Sequence, residues 1–149
     1  MLGVSTMASV LDVAKYILWR HGPMSAMKLQ KLVYYSQAWS LVWDERPLFR
    51  DRIEAWANGP VCPRLYSVHR GHFEVTSDMI PGDVTVLDET AKETISCVLD
   101  FYGDKSAQWL SDLTHNERPW LEARHGLAPG ERGSREISQA AMAEYYESL

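Results

Sequence analysis

Cysteine is scarce in this chain: Cys62 and Cys97 stand alone and far apart. That excludes a metal knuckle built on closely paired cysteines and the dense disulfide framework of a small secreted domain, and it fits a reducing compartment. Long apolar runs are missing too. No stretch approaches the ~20 residues of a membrane-spanning helix, and Met1 to Thr6 is too short and uncharged for a secretory signal. The expected location is the cytoplasm, with no membrane partner. Positive charge is in deficit, with 15 Lys and Arg against 20 Asp and Glu, a formal net charge of −5 and a pI near 5.5. Such a chain lacks the basic footprint of a nucleic-acid binder, and the arginines available for a local stripe are Arg50, Arg52, Arg64 and Arg70. No nucleophile elbow, phosphate loop, HExxH helix or dinucleotide fingerprint occurs, which argues against an enzyme.

Aromatic surface is what the chain has in excess, with six Trp and seven Tyr among 149 residues. Rings bury about 150–250 Å² each and dominate both cores and interfaces. The length suits one domain. A second methionine, Met7, leaves the translation start open between Met1 and Met7, and residues 1–9 read as a flexible leader before a domain at 10–149.

From Val10, apolar residues at Val13, Ala14, Ile17 and Leu18 predict an amphipathic helix that His21-Gly22-Pro23 stops. Ser25 offers a cap for the next helix, 27–44, with Lys28 and Lys31 placed on its wetter side. Leu29, Leu32, Val33, Tyr35, Ala38, Trp39, Val42 and Trp43 recur at spacings of three and four, while Tyr34, Ala38 and Leu41 load a second stripe. A helix apolar over more than the usual ~100° face should be central. Alternation around 53–57 predicts a short extended segment, and Pro60 is placed in the first turn of a helix running to Arg70. Beyond it come a loop from His72 with one or two short strands, a helix capped by Asp88 and ended by Gly103, and a short helix at 106–113. Thr114 and Glu117 have capping-box spacing, Pro119 begins another helix, 126–133 is a loop, and Ser134 caps a last helix that turns Ile137, Ala140, Ala141, Tyr145 and Leu149 inward. The fold class is mainly α: a single compact domain of six or seven helices around helix 27–44, with a minor β element.

Within this frame four motifs stand out. The KLQKLVYYSQ helix runs from Lys28, Leu29, Gln30, Lys31 and Leu32 through Tyr34 and Tyr35 to Gln37. Pro47-Leu48-Phe49 follows it, then an EAWxxGPVxPxLY segment carrying Glu54, Trp56, Gly59, Pro60 and Tyr66, with Cys62 at a variable position. Weaker echoes are Tyr102-Gly103, Trp109-Leu110 and a THxxxPW run from Thr114 to Trp120. Together these resemble the Panacea domain, also called the SocA-like antitoxin domain, over most of the chain from Leu11. The resemblance implies the antitoxin of a type II toxin–antitoxin system, which neutralises a cognate protein toxin by binding it directly. Relatives pair with chemically diverse toxins, alarmone-synthetase-like translation inhibitors among them. It leaves open two alternatives, an adaptor delivering the toxin to a Clp protease and a DNA-binding autorepressor, as well as the oligomeric state. Partner-binding candidates are the aromatics Tyr35, Trp39, Trp43, Trp56, Tyr66 and Trp120, each of which could equally be core.

The remaining constellations have plain readings. Cys62, His69 and His72 could be imagined as metal ligands, but Gly71 interrupts the helix that would align the histidines, and solvated histidines at a helix end are the simpler reading. Cys62 or Cys97 with His115 and Asp112 could be assembled into a nucleophilic set, yet Cys97 falls on or beside an apolar helix face. Gln30, Tyr34, Gln37, Glu54 and Asn58 sit among aromatics, either as an internal hydrogen-bond network or as part of a recognition surface. Neither a catalytic set nor a cofactor is expected. Elemental analysis and absorbance spectra of the purified protein should find no stoichiometric metal and no organic cofactor; a stoichiometric zinc would revive the set of Cys62, His69 and His72.

Overall fold

The structure, a computed structural model, describes residues 8–149, so most of the expected leader lies outside the described residues. Ser9, counted with that leader, is the N-cap of α1 (Val10–His21). Its hydroxyl accepts from Leu11 N, its own N–H donates to Asp12 Oδ2 at 2.8 Å, and Gly22 at φ 102° ends the helix. A two-residue strand β1 (Met24–Ser25) leads into α2 (Ala26–Trp43), capped by the Ser25 hydroxyl and ended at Asp44. There follow β2 (Glu54–Trp56), β3 (Gly59–Val61), α3 (Pro63–His69), β4 (Glu74–Val75) and two 3-10 turns, Ser77–Met79 and Val84–Val86. The second half is helical: α4 (Glu89–Tyr102), α5 (Ala107–His115), α6 (Arg118–Ala123) and α7 (Gln139–Glu147). Two antiparallel pairs, β1 with β4 and β2 with β3, are the β content of the described residues apart from a bridge between Glu54 and Glu136. The architecture is mainly α, as expected.

Helix α2 is its centre, packing against α1, α4, α5 and α7. Residues 29–38 are buried without interruption, whereas α4 buries five of its fourteen, Ala91, Thr94, Ile95, Val98 and Tyr102. A helix enclosed on several sides must also bury its polar positions, and each buried amide must find partners or lose about 1–3 kcal/mol. Gln37 accepts from Leu48 N at 2.7 Å and Phe49 N at 3.3 Å and donates to Phe49 O at 2.8 Å. Gln30 accepts from Cys62 N at 2.9 Å and donates to Cys62 O at 3.3 Å. Seven residues apart, the two amides lie on one helix face about 10 Å from each other. They pin the start and end of the segment that leaves α2, runs through the β2–β3 hairpin and enters α3.

A second polar cluster lies where α2 meets α7 and the start of α6. Glu117, buried at the start of α6, accepts from the Tyr35 and Tyr146 hydroxyls at 2.7 Å each, and the Tyr34 hydroxyl lies 3.1 Å from that of Tyr146. Tyr35 stacks on Tyr102 with ring centres 4.3 Å apart, and Trp39 Nε1 donates to the Tyr102 hydroxyl at 3.0 Å. Phenol donors leave the Glu117 carboxyl hydrogen-bonded, but burial still pushes it above the usual carboxylate range.

Several local expectations are corrected. Pro60 lies in β3, and Pro63 takes the first turn of α3, because β3 must first pair with β2. Val84–Val86 coils as a 3-10 turn under an Asp83 cap rather than extending. Thr114 belongs to α5, its hydroxyl donating to Ser111 O, and Glu117 is spent on tyrosines, so no capping box forms between them. Ser138, not Ser134, caps α7, because Ile137 N donates to Ile53 O and holds residues before it extended beside β2. Met142 and Tyr146 are the buried residues of α7, while Leu149 is 69% exposed. Lys31 is buried rather than wet, His69 is buried rather than solvated, and Cys97 is exposed rather than packed.

Gly59, at φ 123°, occupies a backbone region that side-chain-bearing residues rarely adopt, and a Cβ there would stand 2.4 Å from Lys31 Cε. Gly59→Val therefore combines backbone strain with overpacking, an expected loss of about 2–5 kcal/mol. Urea unfolding curves that overlay those of the unsubstituted protein would refute it.

Candidate functional site

The hairpin held by Gln30 leaves a groove of about 580 Å³ between the first turns of α2, the β2–β3 turn, the end of α3 and the Arg132–Ser134 stretch. Its aromatic wall is Trp56 against Tyr66, edge to face with ring centres 4.9 Å apart. The Trp56 indole N–H donates to Glu54 Oε1 at 2.8 Å and its carbonyl accepts from Trp120 Nε1 at 2.8 Å, so the ring is fixed from both sides. Arg70, His72 and Arg132 stand exposed at the rim, and Lys31 and His69 lie buried below it. Among the described residues no carboxylate lines this groove.

His69 Nε2 lies 2.9 Å from Gln30 Nε2. The amide nitrogen donates, so His69 Nε2 accepts and the ring is the neutral tautomer protonated at Nδ1. Burial, which disfavours the imidazolium, holds its pKa below the ordinary histidine value. Lys31 is 1% exposed. Its ammonium has three protons to place, yet the contact it makes is a weak one, to Pro60 O at 3.5 Å. Burial lowers its pKa from the ordinary 10.5 to about 8, a penalty on the order of 3 kcal/mol for the charged form. Nearby, His115 stacks on Trp120 with ring centres 4.1 Å apart, and its buried Nε2 has no hydrogen-bond partner among the described residues. Burial and then the Lys31 charge hold His115 below its ordinary pKa as well.

Cys62 is buried with its thiol pushed up to about 11, chiefly by desolvation, so it is not poised as a thiolate. Among the described residues no three His, Cys, Asp or Glu side chains converge as a metal site. Two of the four arginines available for a basic stripe are paired, Arg52 with Glu54 and Glu136 and Arg64 with Asp51. No described helix is long and apolar enough to cross a membrane.

The sequence profile described as antitoxin SocA-like, Panacea domain, matches residues 29–121, well over half of the chain. The chain belongs to this family. Antitoxin SocA of Caulobacter vibrioides (strain NA1000 / CB15N) is 31% identical over 110 residues, covering 66% of this chain and 58% of that relative's length. The chain thus spans less than two thirds of the curated relative it matches. No solved structure matches it.

The Panacea motif residues converge where the geometry is most constrained. Gln30, Lys31 and Trp56 line the groove, Gly59 and Pro60 lie behind it against the Lys31 side chain, and Tyr34, Tyr35 and Gln37 serve the core. Of the aromatic candidates, Tyr35 is fully buried and Trp120 nearly so, Trp39 is half-buried against Trp43, and Trp43 is 50% exposed. Trp56 and Tyr66 are the pair that the groove brings together. Lys31, His69 and Arg132, none of them an aromatic candidate, join this pair, as does Arg70 from the arginines available for a basic stripe. The one sequence cue was Lys31 within a helix apolar on two faces, which leaves a lysine no wet side.

Lys31 sets a pH test. The folded chain releases its proton near pH 8 and the unfolded chain near 10.5, so between those values the unfolded state binds more protons and stability rises with pH. Lys31→Met removes the buried charge and is expected to raise stability at neutral pH by on the order of 1–3 kcal/mol and to abolish that rise. Chemical denaturation from pH 7 to pH 10.5 checks both; an unchanged slope would show that Lys31 is solvated.

Proposed function

We propose that this protein is the antitoxin of a type II system and neutralises a protein toxin by direct, non-covalent binding. The observation that carries the reading is that residues of the family's motifs line an open, aromatic-walled groove with a buried cation that makes one weak hydrogen bond. Such a cleft presents fixed rings and charge to a partner, the character of an interface anchor. The buried Cys62 and the neutral, acceptor-held His69 favour binding over catalysis.

The test is co-expression with the product of the neighbouring reading frame. That product alone is expected to arrest growth, and co-expression to restore growth and yield a complex that survives purification. A product that is harmless alone, or toxic beside this protein with no complex recovered, overturns the reading. Alanine at an exposed anchor such as Trp43, 50% exposed, should weaken the complex by about 2 kcal/mol, roughly thirtyfold, with the melting temperature nearly unchanged. Alanine at Tyr35, a core ring, should instead lose about 3–5 kcal/mol of stability.

A further inference from the structure

The groove runs against the charge of its own molecule. The chain carries −5 overall, yet the charged residues lining the groove are Lys31, Arg70 and Arg132, with two histidines beside them. Residues Ala26 and Met27 of the first turn of α2 line it too, adding the positive end of an eighteen-residue helix. At its floor the Lys31 ammonium, 1% exposed, has a single weak contact to Pro60 O at 3.5 Å, although a buried ammonium ordinarily has its donors satisfied. Gly59 keeps that space open, since a Cβ at this position would lie 2.4 Å from Lys31 Cε and 3.0 Å from Lys31 Nζ.

Resting on the toxin-binding reading above, we propose that the groove receives an acidic segment of the partner protein, one carboxylate pairing with the Lys31 ammonium while an adjoining apolar side chain packs on Trp56 and Tyr66. A compact ammonium is a point charge and suits a single carboxylate. A phosphate group calls for several convergent donors, whereas His69 Nε2 faces Gln30 as an acceptor and supplies none there. Arg70 and Arg132, exposed at the rim, would meet further acidic residues of the segment as it enters. Volume agrees, because a cleft of about 580 Å³ holds a few side chains and falls within the range of ligand sites.

Selection of a random peptide library displayed on phage against the purified protein tests this without any partner. Selected peptides are expected to carry Asp or Glu next to an apolar residue. A synthetic copy should bind at least tenfold more weakly to Lys31→Met, and tenfold more weakly when its acid is replaced by the amide. Peptide binding should also shift the Lys31 Nζ resonance in nitrogen-detected spectra, which a merely structural lysine would not show. Should Lys31→Met fail to fold, the rim variant Arg70→Ala with Arg132→Ala carries the test, with a severalfold loss expected. Selected peptides without acidic preference, or equal binding to all variants, overturn the proposal, as does ATP binding that depends on Lys31 while peptide binding does not. Against the neighbouring-frame product, the acidic peptide should compete for the protein. A stable toxin complex that the peptide leaves intact would overturn this inference while leaving the antitoxin reading in place. Absence of any toxin complex, with Lys31-dependent peptide binding retained, would overturn the antitoxin reading alone.

Discussion

The fold depends on satisfying the polar groups of a helix that has no outside. Residues 29–38 of α2 are buried in sequence, so Gln30 and Gln37 cannot turn to water. Each instead completes backbone that has left regular structure: Gln37 takes the N–H groups of Leu48 and Phe49, and Gln30 takes both polar groups of Cys62. The dependence is mutual. Without the amides the segment between α2 and α3 would bury unpaired backbone, and without the segment the amides would be orphaned, each outcome costing about 1–3 kcal/mol per group. This explains why glutamine recurs at a seven-residue interval on a helix whose neighbours are rings and aliphatics.

Two buried charges near this helix are treated in opposite ways. Glu117 receives two phenolic donors inside an aromatic cluster and is thereby fixed as part of the core. Lys31 makes one weak contact and lies buried at the floor of a groove. A charge that is buried and held by two phenol donors specifies packing, whereas one that is buried and left short of partners is a standing destabilisation that packing alone would not retain. The contrast is set one helix turn apart on α2, since Lys31 and Tyr35, a donor to Glu117, are four residues apart.

Much of the fold was legible where local chemistry decides the outcome. Ser25, Asp88 and Ser106 each cap the helix their position suggested or adjoined, and Gly22 ends α1. The misreadings fall where two equivalent signals compete and a tertiary contact selects one. Pro60 and Pro63 can both begin a helix, and the β2–β3 pairing chooses Pro63. Ser134 and Ser138 can both cap, and the hydrogen bond from Ile137 N to Ile53 O chooses Ser138. The site was harder to see. Lysine is almost never fully buried unless paired, so Lys31 was assigned to solvent although both stripes of its helix were apolar. Arg132 enters from a loop far along the chain, and periodicity carries no information about such a meeting.

The groove also couples folding to recognition, which bears on how substitutions in the motif are interpreted. Gln30 clamps Cys62 and orients His69; Gly59 shapes the turn and vacates the space beside Lys31; Trp56 walls the groove while its carbonyl holds Trp120. Loss of partner binding on changing any of these is ambiguous, because the scaffold moves with the surface. Lys31 is different in sign. Its charge destabilises the free protein, so replacing it by an apolar residue relieves the fold while removing the buried cation of the groove. A position where stability and binding move in opposite directions is what a functional residue strained for its task produces. Packing defects move both the same way, and that divergence, rather than the loss of binding alone, is the physical mark of a recognition residue here.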